Sequence, residues 1–158
     1  MRRHLAYLKY VLLHKWYIFV IGIFTGVPLI QLIKHDWTKF TSVEWVPYAH
    51  TFYNKDGSKN EDRQSKHKDF EKAWIHHYNH NKHHWQYWVP RKGKPKEMPV
   101  KYRREMMADW MAVSKAKTGS FDCFIWYLDN RSKMSLHHDT MMGIEKELSS
   151  ISEEIRHI

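Results

Sequence analysis

Residues 16–33 form a stretch of eighteen without a single charged side chain. Such a stretch either crosses a bilayer as one helix or lies in a protein core. Gly26-Val27-Pro28 cuts it. Proline keeps its predecessor out of the helical region and starts helices more readily than it continues them. Two buried helices joined by a turn are therefore expected, with no stable membrane insertion. The mean hydropathy of −0.71 agrees. Arg2 and Arg3 ahead of the apolar run resemble the start of a secretory leader, but no small-residue cleavage site follows.

Helical spacing runs through the rest of the chain. Tyr7, Val11, His14, Ile18 and Ile21 fall on one face of a helix over residues 2–25, so a histidine stands within an apolar stripe. A second helix is expected over 28–39. Thr41-Ser42-Val43-Glu44 has the capping-box pattern and predicts a third, to about residue 52. Residues 54–66 have almost no apolar side chain and read as a mobile loop. Phe70, Ala73, Trp74, Tyr78 and Trp85 mark an amphipathic helix over 67–88. Residues 89–98 form a basic, proline-containing loop. Further helices follow over 98–117, 121–131 and 140–157, the last with Met141, Ile144, Leu148, Ile151 and Ile155 as its apolar face. No alternating strand pattern intervenes. The expected fold is all-α, a compact bundle of about six helices forming one domain over 1–158, a length that supports a single core.

The chemistry lies in His35-Asp36. An imidazole and a carboxylate on adjacent residues suit a divalent metal, because the carboxylate can bridge two ions while the imidazole anchors one. Lys39, three residues on, would share a helical side with Asp36 and hold its second oxygen or a substrate phosphate. A second copy, His138-Asp139, has the plainer reading that Asp139 or Thr140 caps the last helix. Six of the thirteen histidines cluster between His67 and His84. On a continuous helix His77, Asn81 and His84 form one line, and His76, His80 and His83 a neighbouring one. Taken singly, each histidine reads as part of a polar face. Taken together with the interleaved tryptophans, they read as ligands on a buried helix. Asp109, one turn after Glu105, borders an apolar helix face and needs a partner there.

Twenty-six Lys and Arg against seventeen Asp and Glu give a net charge of +9, which favours anionic partners. Arg91, Lys92, Arg103 and Arg104 are candidates for steering a small anionic substrate. The single Cys123 leaves no intrachain disulfide and fits a reducing, cytoplasmic setting. No Gly-rich phosphate loop, Cys-x-x-Cys pair or nucleophile elbow is present.

The order His14, His35-Asp36, His77, His83-His84, Asp109 resembles the HD superfamily of metal-dependent phosphohydrolases. The segments HDWTKF, FEKAWIHHYNHNKHHWQYW and MPVKYRREMMADW are also similar to a small family of uncharacterised phage and bacterial proteins. A phage-encoded member would work in the host cytoplasm. The superfamily resemblance implies two divalent transition metals, Mn, Fe, Co or Zn. It places Asp36 between them, with His14, His35 and Asp109 on one ion and His77 and His84 on the other. His83 is a spare ligand for the second. It implies hydrolysis of a nucleotide or other phosphoester, with Asp36 and Lys39 at the reacting centre. Two alternatives belong to other classes. A di-iron oxygenase of the same fold would use the same ligands. A non-catalytic nucleic-acid binder would rely on the basic loops and exposed aromatics, although no repeated basic-aromatic stripe supports it.

Overall fold

A computed structural model describes residues 1–62 and 68–156. Its seven α-helices are α1 (Arg2–Phe24), α2 (Leu29–Lys34), α3 (Ser42–Phe52), α4 (Lys68–His80), α5 (Val100–Thr118), α6 (Phe124–Asn130) and α7 (His138–Arg156). Short 3-10 turns cover Trp37–Phe40, Trp85–Trp88 and Arg131–Lys133. Among the described residues there is no strand, only one isolated bridge between Tyr53 and Lys59. The fold is all-α, as the periodicity predicts.

Helix α1 is the axis. Its expected stripe is buried in full: Tyr7, Val11, His14, Ile18 and Ile21. The stripe serves two cores. Ile18 and Ile21 join Leu32 of α2, Met106, Met107 and Met111 of α5, Tyr127 of α6, and Ile144 and Leu148 of α7. Tyr7 and Val11 join Tyr48 and Ala49 of α3, Tyr53, and Ala73 of α4. Each fully buried aliphatic chain contributes about 1.5–3 kcal/mol relative to exposure. His14 falls between Val11 and Ile18, at the seam of the two cores.

Three expected helices are shorter in the structure, two of them for identifiable reasons. Helix α2 stops at Lys34, not at residue 39. Lys15 Nζ, from α1, donates to the Ile33 carbonyl at 3.3 Å and the His35 carbonyl at 2.7 Å. Asp36 then takes the left-handed conformation, φ 55° and ψ 25°, through which no α-helix continues. Helix α4 stops at His80, not at 88. The Asn81 side chain donates to the His77 carbonyl at 2.8 Å and to Thr38 Oγ1 at 2.7 Å, offering the backbone a competing partner. Helix α6 is confined to 124–130, and Arg131 opens a 3-10 turn.

The capping box at 41–44 is not formed, although α3 begins where it predicts. Thr41 makes no side-chain cap; its hydroxyl donates to the Thr38 carbonyl at 2.7 Å. Glu44 is wholly buried and turns inward. Residues 54–62, expected to be mobile, close into a turn through Asn54 N to Ser58 O and Asn60 N to Phe52 O, each 2.9 Å. The rest of that expected loop, 63–66, lies outside the described residues, as does His67. Thr140 does not cap α7 with its hydroxyl, which accepts from the Met98 N–H at 2.9 Å.

Candidate metal centre

Four separate parts of the chain deliver the cluster. Helix α1 supplies His14; the turn after α2 supplies His35 and Asp36; helix α5 supplies Asp109. Helix α4 supplies His77, and the turn that follows it supplies His83 and His84. Asp36 is central and nearly inaccessible, 1% exposed. Its Oδ2 faces His35 Nε2 at 3.3 Å and His14 Nε2 at 3.7 Å. Its Oδ1 faces His77 Nε2 at 3.3 Å and His83 Nε2 at 3.5 Å. Asp109 Oδ1 closes the first side, 3.0 Å from His14 Nε2 and 3.9 Å from His35 Nε2. Two ligand groups follow, His14–His35–Asp36–Asp109 and Asp36–His77–His83–His84, and Asp36 belongs to both. Within each group the ligand atoms all lie within 4.8 Å of one another.

A buried cluster of this kind could simply be a hydrogen-bonded network. The polar atoms argue otherwise. His14 Nε2, His35 Nε2, Asp36 Oδ1, His83 Nε2 and His84 Nε2 are buried without a well-aligned hydrogen bond, although His14 Nε2 stands 3.0 Å from Asp109 Oδ1 and His35 Nε2 3.3 Å from Asp36 Oδ2. Orphaned buried polar atoms are costly and rare, and these converge around one carboxylate. Nitrogen and carboxylate donors in such sets fit divalent transition metals. The chain therefore has a buried His/Asp cluster able to hold metal.

A second layer orients the first. Glu105 Oε1 accepts from His35 Nδ1 at 2.9 Å and stands 3.4 Å from His83 Nδ1. Glu44 Oε2 takes His77 Nδ1 at 2.7 Å, and its Oε1 takes His76 Nδ1 at 2.8 Å. With Nδ1 fixed in this way, the Nε2 atoms of His35, His77 and His83 point at Asp36. This is the carboxylate–histidine arrangement that sets tautomer and ring orientation at metal sites. Gln31 holds the other oxygen of Glu105 through its side-chain amide. Lys39 Nζ lies 2.5 Å from Asp36 Oδ2, the oxygen that also faces His35 and His14.

The electrostatics divide the histidines. Burial pushes His84 well below its ordinary range, and the neighbouring His83 and His77 push it further. Burial also lowers His14, against the opposing pull of Asp109. For His35 burial again works against the charged ring, but Asp36 and Glu105 outweigh it and raise the group to about 9. Burial opposes ionisation of Glu105 too, yet hydrogen bonds from His35 and His83 bring it down to about 2. For Lys39, burial is overcome by the Asp36 charge, which holds the ammonium form far above its usual limit.

Every ligand named from the sequence joins the cluster, but not every geometry expected for them holds. His83 and His84 lie in a turn, so no i, i+4, i+7 line through His77, Asn81 and His84 exists. His83 faces Asp36 directly and is a full member, while Asn81 acts as a brace. His76 and His80 stack on each other at 4.0 Å and stand outside the cluster. Lys39 meets Asp36 through a left-handed residue and a 3-10 turn, not along a helix. Arg103 and Arg104 pair with Glu147 on α7, while Arg91 and Lys92 lie exposed in the 89–98 loop. His138 and Asp139 are exposed at the start of α7. The sequence reading missed Glu44 and Glu105 as orienting carboxylates. The available signal was the lone acid of α3, and an acid one turn before Asp109.

An all-α protein with a buried His/carboxylate cluster is thus defined by fold and site. The chain belongs to DUF5662, a family of unknown function, whose profile matches residues 3–150. No curated protein and no solved structure matches it.

Proposed function

We propose that the protein is a metal-dependent phosphohydrolase with a dinuclear centre, acting on a nucleotide or other phosphoester. The observation that carries this reading is Asp36, whose two oxygens face two separate histidine groups. His14, His35, Asp109 and Asp36 Oδ2 would hold one ion; His77, His83, His84 and Asp36 Oδ1 the other. The ligand order along the chain also agrees with the HD-superfamily resemblance. Two divalent ions so placed supply Lewis-acid activation of water and neutralise charge on a phosphoryl group.

The protein's own residues prepare the rest. Glu44 and Glu105 fix the rings, and the buried surroundings keep His14 and His84 neutral and able to ligate. Asp109 and Lys39 are 14% and 12% exposed against 2% or less for Asp36, His14, His35, His77 and His83, and His84 is half-buried on the other ligand group. An anionic substrate that meets the cluster beside Lys39 finds positive charge there.

The test is metal content together with hydrolysis. Wild-type protein loaded with Mn, Fe, Co or Zn should bind close to two ions per chain and cleave simple phosphomonoesters or phosphodiesters. Asp36→Asn should lose both properties while keeping its far-UV spectrum, because asparagine tolerates the left-handed backbone that Asp36 adopts. Full metal stoichiometry in Asp36→Asn would reject the bridging role. Two bound ions with no hydrolysis of any phosphoester would reject the phosphohydrolase.

A further inference from the structure

The surface built by the first three helices is unusual in two independent ways. It is apolar: Leu5, Leu12, Trp16 and Ile23 form one exposed stripe along α1, at spacings of seven, four and seven residues. Ile30 and Ile33 continue the exposure on α2, and Trp37 on the following turn is 67% exposed. These elements adjoin. Lys15 Nζ ties α1 to the Ile33 and His35 carbonyls. Rings run from Trp37 to Phe40 and from Phe40 to Trp45, each at 6.0 Å, and Trp45 packs on Tyr7 of the buried face of α1, which fixes this turn against the helix. Isolated exposed apolar residues need no explanation, but a stripe of four along one helix with three more on the adjoining elements marks an interaction surface.

The same surface is predominantly positive; its nearest exposed acid, Asp56, lies beside Arg2 at the edge of the face, away from Lys34. Residues 1–55 contain two acids, Asp36 and Glu44, and both are buried, at 1% and 0%. Arg2, Lys9 and Lys34 are exposed on the same elements. We infer that this face docks on an anionic lipid surface, with α1 lying in the plane of the membrane rather than crossing it. Helix α1 is long and apolar enough to span a bilayer. Its opposite face, however, is packed in both cores and delivers His14 to the cluster. An in-plane helix needs only one apolar face, with basic residues reaching lipid phosphates and tryptophan at the interface. A second copy of the chain fits less well. Pairing this face with itself would bring Lys9 and Lys34 of both copies into one interface, where the nearest exposed acid, Asp56, is already engaged by Arg2.

The test uses the full chain and two kinds of vesicle, phosphatidylcholine alone and phosphatidylcholine mixed with phosphatidylglycerol. Co-sedimentation should be roughly tenfold greater on the anionic vesicles and should weaken with added salt, as expected for a few basic side chains acting beside an apolar face. Leu12→Glu with Ile23→Glu alters only exposed positions, so the far-UV spectrum should persist while vesicle binding is lost. Lys9→Glu with Lys34→Glu should remove the preference for anionic lipid. Equal binding to both vesicles, or binding to neither, overturns the proposal. So does a wild-type dimer that Leu12→Glu with Ile23→Glu splits, since a second copy would then cover the face.

Discussion

His35 shows how much a single residue carries. Its Nε2 faces Asp36, its Nδ1 is held by Glu105, and its carbonyl is clamped by Lys15. In metal-free protein its pKa is raised to about 9, burial being outweighed by Asp36 and Glu105. The folded value then exceeds the unfolded value of about 6.5. The contribution is therefore complete below about 6.5 and is lost as pH rises through the folded value. The thermal midpoint of metal-free protein should fall between these two values, and His35→Gln should flatten that decline. Because ligation needs neutral imidazole, metal affinity should rise over the same window with release of protons, measurable by calorimetry in buffers of different ionisation enthalpy. Glu44 and Glu105 act one step further out. Glu44→Gln and Glu105→Gln should each weaken metal binding by about 10–100-fold, read by competition with a chromogenic chelator. A change below about twofold for both would leave ring orientation to packing alone.

At the scale of elements, the close crossing of α1 and α2 sets where His35 begins. Gly22 permits it: a Cβ there would lie 2.3 Å from Leu32 Cδ2. Gly22→Val should cost about 1–3 kcal/mol in denaturant unfolding by overpacking this contact, and should reduce metal affinity as α2 is pushed outward. Unchanged stability would mean that Leu32 moves aside freely. Helix existence was legible in the sequence because apolar positions recur at 3.6-residue spacing, and the whole stripe of α1 is buried as that spacing requires. Helix ends were not. That of α2 is set by Lys15, which acts on carbonyls eighteen and twenty residues away and leaves no local signature, while Asn81 at the end of α4 is a local stop signal that the continuing aromatic pattern masks. The same applies to the site. His-Asp and the histidine block announce ligands, whereas Glu44 reads as a capping residue until its helix is packed against α4.

For the whole molecule, the cluster sits where the two cores meet, with ligands from the α1, α2, α4 and α5 regions. Metal bound there ties the α3–α4 half to the α5–α7 half. At free metal about a hundredfold above Kd, a single ion adds roughly 2.7 kcal/mol to stability. For a chain of this size that corresponds to about 5–10 °C in the thermal midpoint. Stripping metal with chelator should lower the midpoint by that order. It should also raise hydrogen exchange in α4 and the 81–84 turn more than in α6 and α7, which supply no ligand. Uniform exchange changes across all helices would argue against a link at the seam.

The left-handed backbone at Asp36 has a consequence for which sequences can occupy that position. Among the described residues it is the single non-glycine site of positive φ. Glycine accepts the conformation but brings no oxygen, and asparagine brings one oxygen and no charge. Glutamate brings two oxygens but resists the left-handed region, and its longer arm would overshoot rings already held by Glu44 and Glu105. Only aspartate meets both demands. A random substitution library read out by metal retention should recover position 36 as aspartate alone, while His84, braced by no carboxylate, tolerates the widest replacement among the ligands.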